Sequence, residues 1–574
     1  MFEDELEKEI IDKDGPARAK KKKICIFIII GIAAVAIISA IIIIISIKRD
    51  GGERKGEIYG KFECTYYSTS GQNTYVFSKK AADLSPFTIN GTKCNGTNPI
   101  ITQTGYVKVI ITFDIPINMD NLFSGTQLDS IKMISTKKAV ITSMTEAFSN
   151  CDRLDSFYFI GFEMSRVKNL SRLFYKNEQL KNVTFNDFNT QNVLDMNEMF
   201  GDCTQLESLD LSMFNTRNVK IMSRMFNKCS SLIKLDISNF NTGNVEKMNK
   251  MFHYCTKLPE LKIPNTFKTN KVTSMGHMFE YCSVLTSIDL SSFDTSSVTN
   301  MGRMFTYCKN VENLDVSHFD TTNVHKMNEM FNKCSSLKNL DLTNFITNNV
   351  FNMSLMFSAT PIKQLDLSNF NTNNVTEMHF MFKDMAQIEF LNLSSFSTVQ
   401  VTNMESMFEG CTNLKKIDLD INKFDTRNVV NMARLFSDCK LLSSIDLSKL
   451  DTHNVEHMER MFAGCESFIK LDLLSFDTSN VKYMDEMFSG LSLVALDLGS
   501  FTTYEVVSLK QMFYNSKNLK TINLSKFNTR HCINFDQIVG GIDNNLTVFL
   551  SKNTTEDNAE LIKALGDKTN ISYI

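Results

Sequence analysis

The chain has 574 residues, 43% hydrophobic and 22% charged, with 45 Phe, 31 Met, no Trp and a net charge of −3. That balance is ordinary for a folded protein, and seven prolines exclude a Pro-rich linker protein. The lack of a basic excess argues against a nucleic-acid binder.

Residues 1–23 hold seven acidic and seven basic residues, ending in the run Lys20 to Lys23. They are too few for a catalytic domain. Residues 24–47, Ile24 to Ile47, carry no charge. As a helix rising about 1.5 Å per residue they exceed a hydrocarbon core of about 30 Å. The stronger basic cluster precedes this stretch, so the N-terminus is expected in the cytoplasm and the rest outside the plasma membrane. The apolar stretch is too long for a cleaved signal peptide, and it reads as a transmembrane signal anchor. Residues 48–56 form a short linker. Residues 57–139 repeat poorly and contain strand-like runs such as Tyr106 to Ile115, which suggests a small β-rich cap. This region holds Cys64 and Cys94, a candidate disulfide in an extracellular setting.

From about 140 to 540 one unit recurs roughly sixteen times, mostly at 26-residue intervals. The Phe of a Met-Phe pair anchors it, from Phe148 through Phe200 and Phe305 to Phe513, and Val539 fills the slot in a degenerate last copy. In "LTSIDLSSF" (Leu285 to Phe293) the apolar residues alternate, as in a strand with one buried face. In "VTNMGRMF" (Val298 to Phe305) they fall at i, i+3, i+6 and i+7, which predicts a helix of about two turns. The intervening "DTSS" supplies turn and N-cap chemistry. Such a unit buries its apolar face only by stacking on neighbours. The predicted fold class is therefore α/β: a leucine-rich-repeat solenoid of strand, turn and short helix, with a parallel sheet on one face.

The form L-x-x-L-D-L-S-x-F-x-T-x-N-V-x-x-M-x-x-M-F-x-x-C resembles the BspA-like leucine-rich-repeat surface proteins over some seventy per cent of the chain. The resemblance implies a microbial cell-surface protein with a role in adhesion to host proteins or cells. It carries no common catalytic residues.

Periodicity directs the Met and Phe columns inward, where Met fills gaps. The Cys three after the anchor, as at Cys203 and Cys229, reads as a buried small filler. Neighbouring strands about 4.8 Å apart hold Cβ atoms beyond usual disulfide reach. The Thr ten before the anchor, from Thr190 to Thr529, reads as a turn residue bonding nearby backbone.

The outward strand column holds Asp210, Asp236, Asp289, Asp315, Asp341, Asp366, Asp418, Asp446, Asp472 and Asp497. Parallel carboxylates this close repel. The column is either an acidic concave strip for an extracellular protein or glycan ligand, or a solvated face inherited by unit duplication. "HNVEH" (His453 to His457) matches a zinc-protease pattern but overlays the repeat template. No catalytic residue, metal or cofactor is assigned. Asn90, Asn95, Asn169, Asn182, Asn352, Asn374, Asn545, Asn553 and Asn570 stand in N-x-S/T sequons and are candidate glycosylation sites. Asn392 and Asn523 also do, as by-products of Asn replacing Asp. Residues 541–574 read as a C-terminal cap, with a strand at Asn545 to Leu550 and a helix at Thr555 to Gly566. The expected function is a membrane-anchored binding platform, the alternative a structural or decoy surface coat.

Overall fold

The computed structural model describes residues 60–574 apart from 81–86, 95–97, 114, 543–544 and 568. The tail, the apolar stretch Ile24 to Ile47, the linker and Asn95 lie outside the described residues. No helix among the described residues is long and apolar enough to cross a membrane.

The repeats wind into a β-solenoid of about 17 turns. Strand Ser208–Asp210 pairs in parallel with Lys234–Asp236, and Phe390–Leu393 with Lys416–Leu419. A second, single-residue parallel ladder runs five residues before the anchors, as Asn300↔Lys326↔Asn352.

The expected short helix in each unit is not there. Among the described residues the α-helix is Ala559–Leu565, with a 3-10 turn at Lys552–Thr554. Around Phe200 the amides of Met199, Gly201 and Cys203 bond three residues back, to the carbonyls of Met196, Glu198 and Phe200. The alternate amides, of Met196, Glu198, Phe200 and Asp202, bond to Ile221, Ser223, Met225 and Asn227 in the next coil. A helix cannot form because two residues per coil sit in the left-handed region, here Glu198 (φ 53°) and Asp202 (φ 61°). Overlapping turns bring Met196, Met199, Phe200 and Cys203 to the same fully buried side that a helix would. The apolar spacing fits both conformations.

The core is a set of ladders. The anchor rings stack from Phe123 to Phe513; Phe279, Phe305 and Phe331 are typical, with centroids 5.8 and 5.9 Å apart and planes within 7°. This stack starts one rung before the first repeated anchor, since Phe123 lies 5.4 Å from Phe148. Thr residues join the coils. Thr269 Oγ1 donates to Asp294 O at 2.7 Å and accepts the Asp294 amide at 2.8 Å. These bonds run between coils, not within one turn as the sequence suggests. The Asn column ties the opposite way, with Asn454 Nδ2 donating to Arg427 O of the preceding coil at 2.7 Å.

Both ends are covered. Strand Gly60–Ser68 pairs antiparallel with Gly105–Phe113 and with Leu128–Ile134. Leu128–Ile134 in turn pairs in parallel with Ser156–Ile160, so the cap continues the solenoid sheet and hides its edge. At the far end Leu546–Leu550 and Thr569–Tyr573 extend the sheet. The closing helix is shorter than expected, because Asn558 before it is drawn into the coil. It is buried, accepting from Thr529 N and donating to Phe527 O.

Candidate binding surface

The Asp column lies on the solvent side of the strands, and Asp289, Asp315, Asp341 and Asp472 are among its exposed members. Each of nearly all its members also has a local task. Asp289 Oδ1 accepts the Ser291 amide at 3.0 Å, Asp366 Oδ1 that of Ser368 at 2.9 Å, and Asp446 Oδ1 that of Ser448 at 3.0 Å. These are Asx turns. They follow a strand at Ser208–Asp210 and Lys234–Asp236, whereas the stretches before Asp289, Asp366 and Asp446 run alongside their neighbours without forming the strand expected at Leu285 to Phe293. Asn392 and Asn523 replace Asp and accept the amides of Ser394 and Ser525 in the same way, at 3.1 Å each. The exception is Asp418, which pairs with Lys416 at 2.6 Å. Its coil is longer, and Asp420 makes the turn by accepting from Asn422 at 3.1 Å.

The hydrogen bonds outweigh the mutual repulsion. Bonds from Ser291 and Ser368 hold the carboxyls of Asp289 and Asp366 below the ordinary range. Asp341 is lowered by Thr343, although Asp315 and Asp366 push the other way. Two further Asx turns complete the coil of Phe305, with Asp294 capping Ser296 at 3.0 Å and Asn300 capping Gly302 at 2.9 Å.

An exposed apolar patch, which the sequence reading missed, adjoins this column. Ile469 (86% exposed) and Val494 (61%) are adjacent rungs three residues before Asp472 and Asp497, and Leu474 (62%) follows Asp472. Their signal is aliphatic residues in columns that are polar in most coils: Ile469 and Val494 stand just before the strand position, where Glu312 and Lys338 stand elsewhere, and Leu474 takes the Ser or Thr slot two after Asp472. A groove of about 380 Å³ on the same strand side is lined by Ile233, Lys234, Asp236, Pro259, Lys262 and Pro264, among others. It forms where Lys262 interrupts the Asp column.

The other sequence-singled residues separate. Cys64 and Cys94 are free. They lie on strands Gly60–Ser68 and Thr92–Cys94, with Gly105–Phe113 and Phe87–Ile89 between them in the sheet. Three strand spacings of about 4.8 Å are far beyond disulfide reach, so the expected bridge is not formed. The repeat cysteines are buried and donate to a carbonyl of the preceding coil, as Cys229 Sγ does to Phe200 O at 3.2 Å and Cys308 Sγ to Phe279 O at 3.1 Å. Ser516 makes the equivalent bond to Phe488 O at 2.8 Å. "HNVEH" does not converge. His453 Nδ1 meets Asp477 at 2.9 Å, Glu456 meets Lys482 at 2.7 Å, and His457 Nδ1 meets Glu459 at 3.0 Å.

Among the sequon asparagines, Asn90, Asn182, Asn374, Asn545, Asn553 and Asn570 are exposed, and Asn169 and Asn352 half-buried. Asn374 Nδ2 donates to Asn348 O at 2.7 Å.

These features define a parallel β-solenoid of leucine-rich-repeat type whose outer strand side is open to solvent. A family model described as "Mycoplasma protein of unknown function, DUF285" matches residues 142–263, 260–364, 337–446 and 441–548. That is more than half of the chain, and the protein belongs to this family. No curated protein matches. Among solved structures, a leucine rich cell surface protein from Faecalibacterium prausnitzii A2-165 is 15% identical, covering 78% of this chain and 86% of its own, with a TM-score of 0.29. The TLR13–ssRNA13 complex is 12% identical, covering 74% and 75%, with a TM-score of 0.17. The circular leucine-rich-repeat protein CroV588 is 11% identical, covering 75% and 71%, with a TM-score of 0.12. Superpositions this loose transfer no function.

Proposed function

We propose that the protein is a single-pass, membrane-anchored surface protein of the BspA-like kind, whose solenoid binds an extracellular protein or glycan in adhesion. The observation that carries the binding reading is the Ile469, Leu474 and Val494 patch beside Asp472 and Asp497. Large aliphatic side chains gain nothing from water at positions the fold leaves outward, and contiguous exposed ones mark contact surfaces. An apolar centre with an acidic rim suits a partner that brings apolar and basic groups together. The uncharged stretch Ile24 to Ile47 supports the anchor, and the lysines before it support a cytoplasmic N-terminus.

The test is binding of cells displaying the full chain to immobilised matrix proteins and to a glycan array. Saturable binding that the double variant Ile469→Lys, Val494→Lys weakens at least tenfold is expected. Unchanged binding in that variant removes the patch from the proposal. Protease shaving of intact cells checks the topology, and protection of the solenoid reverses it.

The second reading, a structural or decoy coat, is favoured by the Asx turns. They give the Asp column a folding role that needs no ligand. Absence of any saturable partner on the displayed chain selects it.

A further inference from the structure

Two histidines and a glutamate meet in variable slots of two adjacent coils, "MNKMFHYC" and "MGHMFEYC". His253 and Glu280 fill the slot directly after the anchor Phe in neighbouring coils. His277 fills the left-handed slot before Phe279, with φ 61°. His253 and Glu280 are buried and His277 is half-buried. One donor atom from each lies within 4.8 Å of the others. His253 Nε2 is 3.0 Å and His277 Nδ1 2.5 Å from Glu280 Oε2.

The tautomer of His253 follows from its other neighbour. Its Nδ1 lies 2.6 Å from Asn227 Oδ1, one coil back. An amide oxygen only accepts, so Nδ1 carries the proton. Asn227 thus occupies the Nδ1 side of the ring and leaves Nε2 facing Glu280 Oε2 at 3.0 Å.

We propose that His253 Nε2, His277 Nδ1 and a carboxylate oxygen of Glu280 bind one Zn²⁺, with water in a fourth position on the solvent side of His277. Two imidazoles and one carboxylate are a donor set suited to zinc, whereas calcium takes six to eight oxygens. Asn227 supplies the outer hydrogen bond that fixes a ligating imidazole. Zn–N and Zn–O bonds of about 2.0–2.1 Å in a tetrahedron put donors roughly 3.3 Å apart. The separations of 3.0 and 2.5 Å reach that by opening less than an ångström each. His277 has the freedom to move, being the most exposed of the three. Arg303 Nη1 lies 3.8 Å from Glu280 Oε1. Lys250, also near Glu280, adds a second cation. These charges oppose the metal and weaken its binding. The ion adds a side-chain link between two adjacent coils that the backbone also joins, through Phe252 N to Met278 O at 3.0 Å and Tyr254 N to Glu280 O at 2.8 Å.

The test uses full-length protein in detergent, stripped with chelator and dialysed against zinc chloride. Elemental analysis is expected to find one zinc per chain, with cobalt giving the intense visible bands of tetrahedral coordination. His277→Ala and Glu280→Gln are each expected to weaken uptake at least tenfold, and His453→Ala, His457→Ala to leave it unchanged. Circular dichroism under chelator shows that the variants fold. If either fails to fold, the cobalt spectrum of the wild-type protein decides: an octahedral or absent spectrum overturns the site. Substoichiometric zinc, or uptake equal in His277→Ala, overturns it as well and marks the binding as adventitious.

Discussion

Asp289 Oδ1 accepts the backbone amide of Ser291 at 3.0 Å, closing an Asx turn between two exposed residues. The carboxylate does what Asn392 does with a neutral amide oxygen. Charge is therefore dispensable at this position and the acceptor is not. Asp289→Asn is expected to leave the fold within a few tenths of a kcal/mol, and Asp289→Ala to cost about 1 kcal/mol, as a lost cap does. Hydrogen exchange at the Ser291 amide checks this, and equal protection in both variants would contradict it.

The same bonds fix a pH dependence. Asp236, Asp289, Asp315, Asp341, Asp366 and Asp446 all have carboxyls lowered by hydrogen bonds from the residue two on. A group depressed in the folded state stabilises fully above its unfolded pKa, near 3.9, and loses that contribution as pH falls through the folded value. Stability is expected to drop steeply below about pH 4. Replacing the six with Asn should flatten the acid limb of melting temperature against pH.

Much of the core was legible because a column copied in every coil must face one way. The inward Met196, Met199 and Phe200 follow from spacing alone. The conformation between them did not, since consecutive turns and a helix put those residues on the same side. The distinguishing signal was faint: Gly410, Gly464 and Gly490 occupy the slot two after the anchor, with φ of 74°, 70° and 70°. Most coils place a non-glycine there, such as Asp202 or Tyr281, which hides the left-handed backbone. The Asp column was seen but its reason was not, although Asn392 and Asn523 already pointed to an acceptor. His253, His277 and Glu280 come together only through coil stacking, which no local motif displays.

Thr269 exchanges two hydrogen bonds with the backbone of Asp294 and is fully buried. Thr269→Val keeps the shape but removes both bonds to the backbone of Asp294, at about 0.5–1.5 kcal/mol for each bond. Thr269→Ser keeps both bonds and loses one methyl, near 1 kcal/mol. Chemical denaturation should rank the wild type above Ser and Ser above Val. A valine variant as stable as the wild type would show that the hydroxyl does not couple the coils.

The thiols should divide by burial. Burial pushes the Cys229 and Cys334 thiols up to about 12, and each donates to a carbonyl in the coil before. Such groups present little thiolate to a reagent at neutral pH. Cys94 is the partly exposed free cysteine among the described residues. A disulfide-exchange dye is expected to label Cys94 first in native protein and the repeat cysteines only on unfolding. Mass spectrometry of maleimide-blocked peptides should find Cys64 and Cys94 both reduced.

Phe305 tests whether the ring stack couples one coil to the next. It lies between Phe279 and Phe331 and is fully buried. Phe305→Ala removes contacts on both sides and leaves a cavity, a loss of about 3–5 kcal/mol. In a solenoid, stability is a sum of coil terms and nearest-neighbour terms, so this loss falls on two adjacent interfaces. Unfolding should then separate into two transitions, with first proteolytic cuts near residue 305. Phe513→Ala, where the next anchor slot holds Val539, interrupts a stack on one side only and should leave a single transition with a smaller shift. A Phe305→Ala chain that still melts in one transition would place the coupling in the Thr and Asn bonds instead.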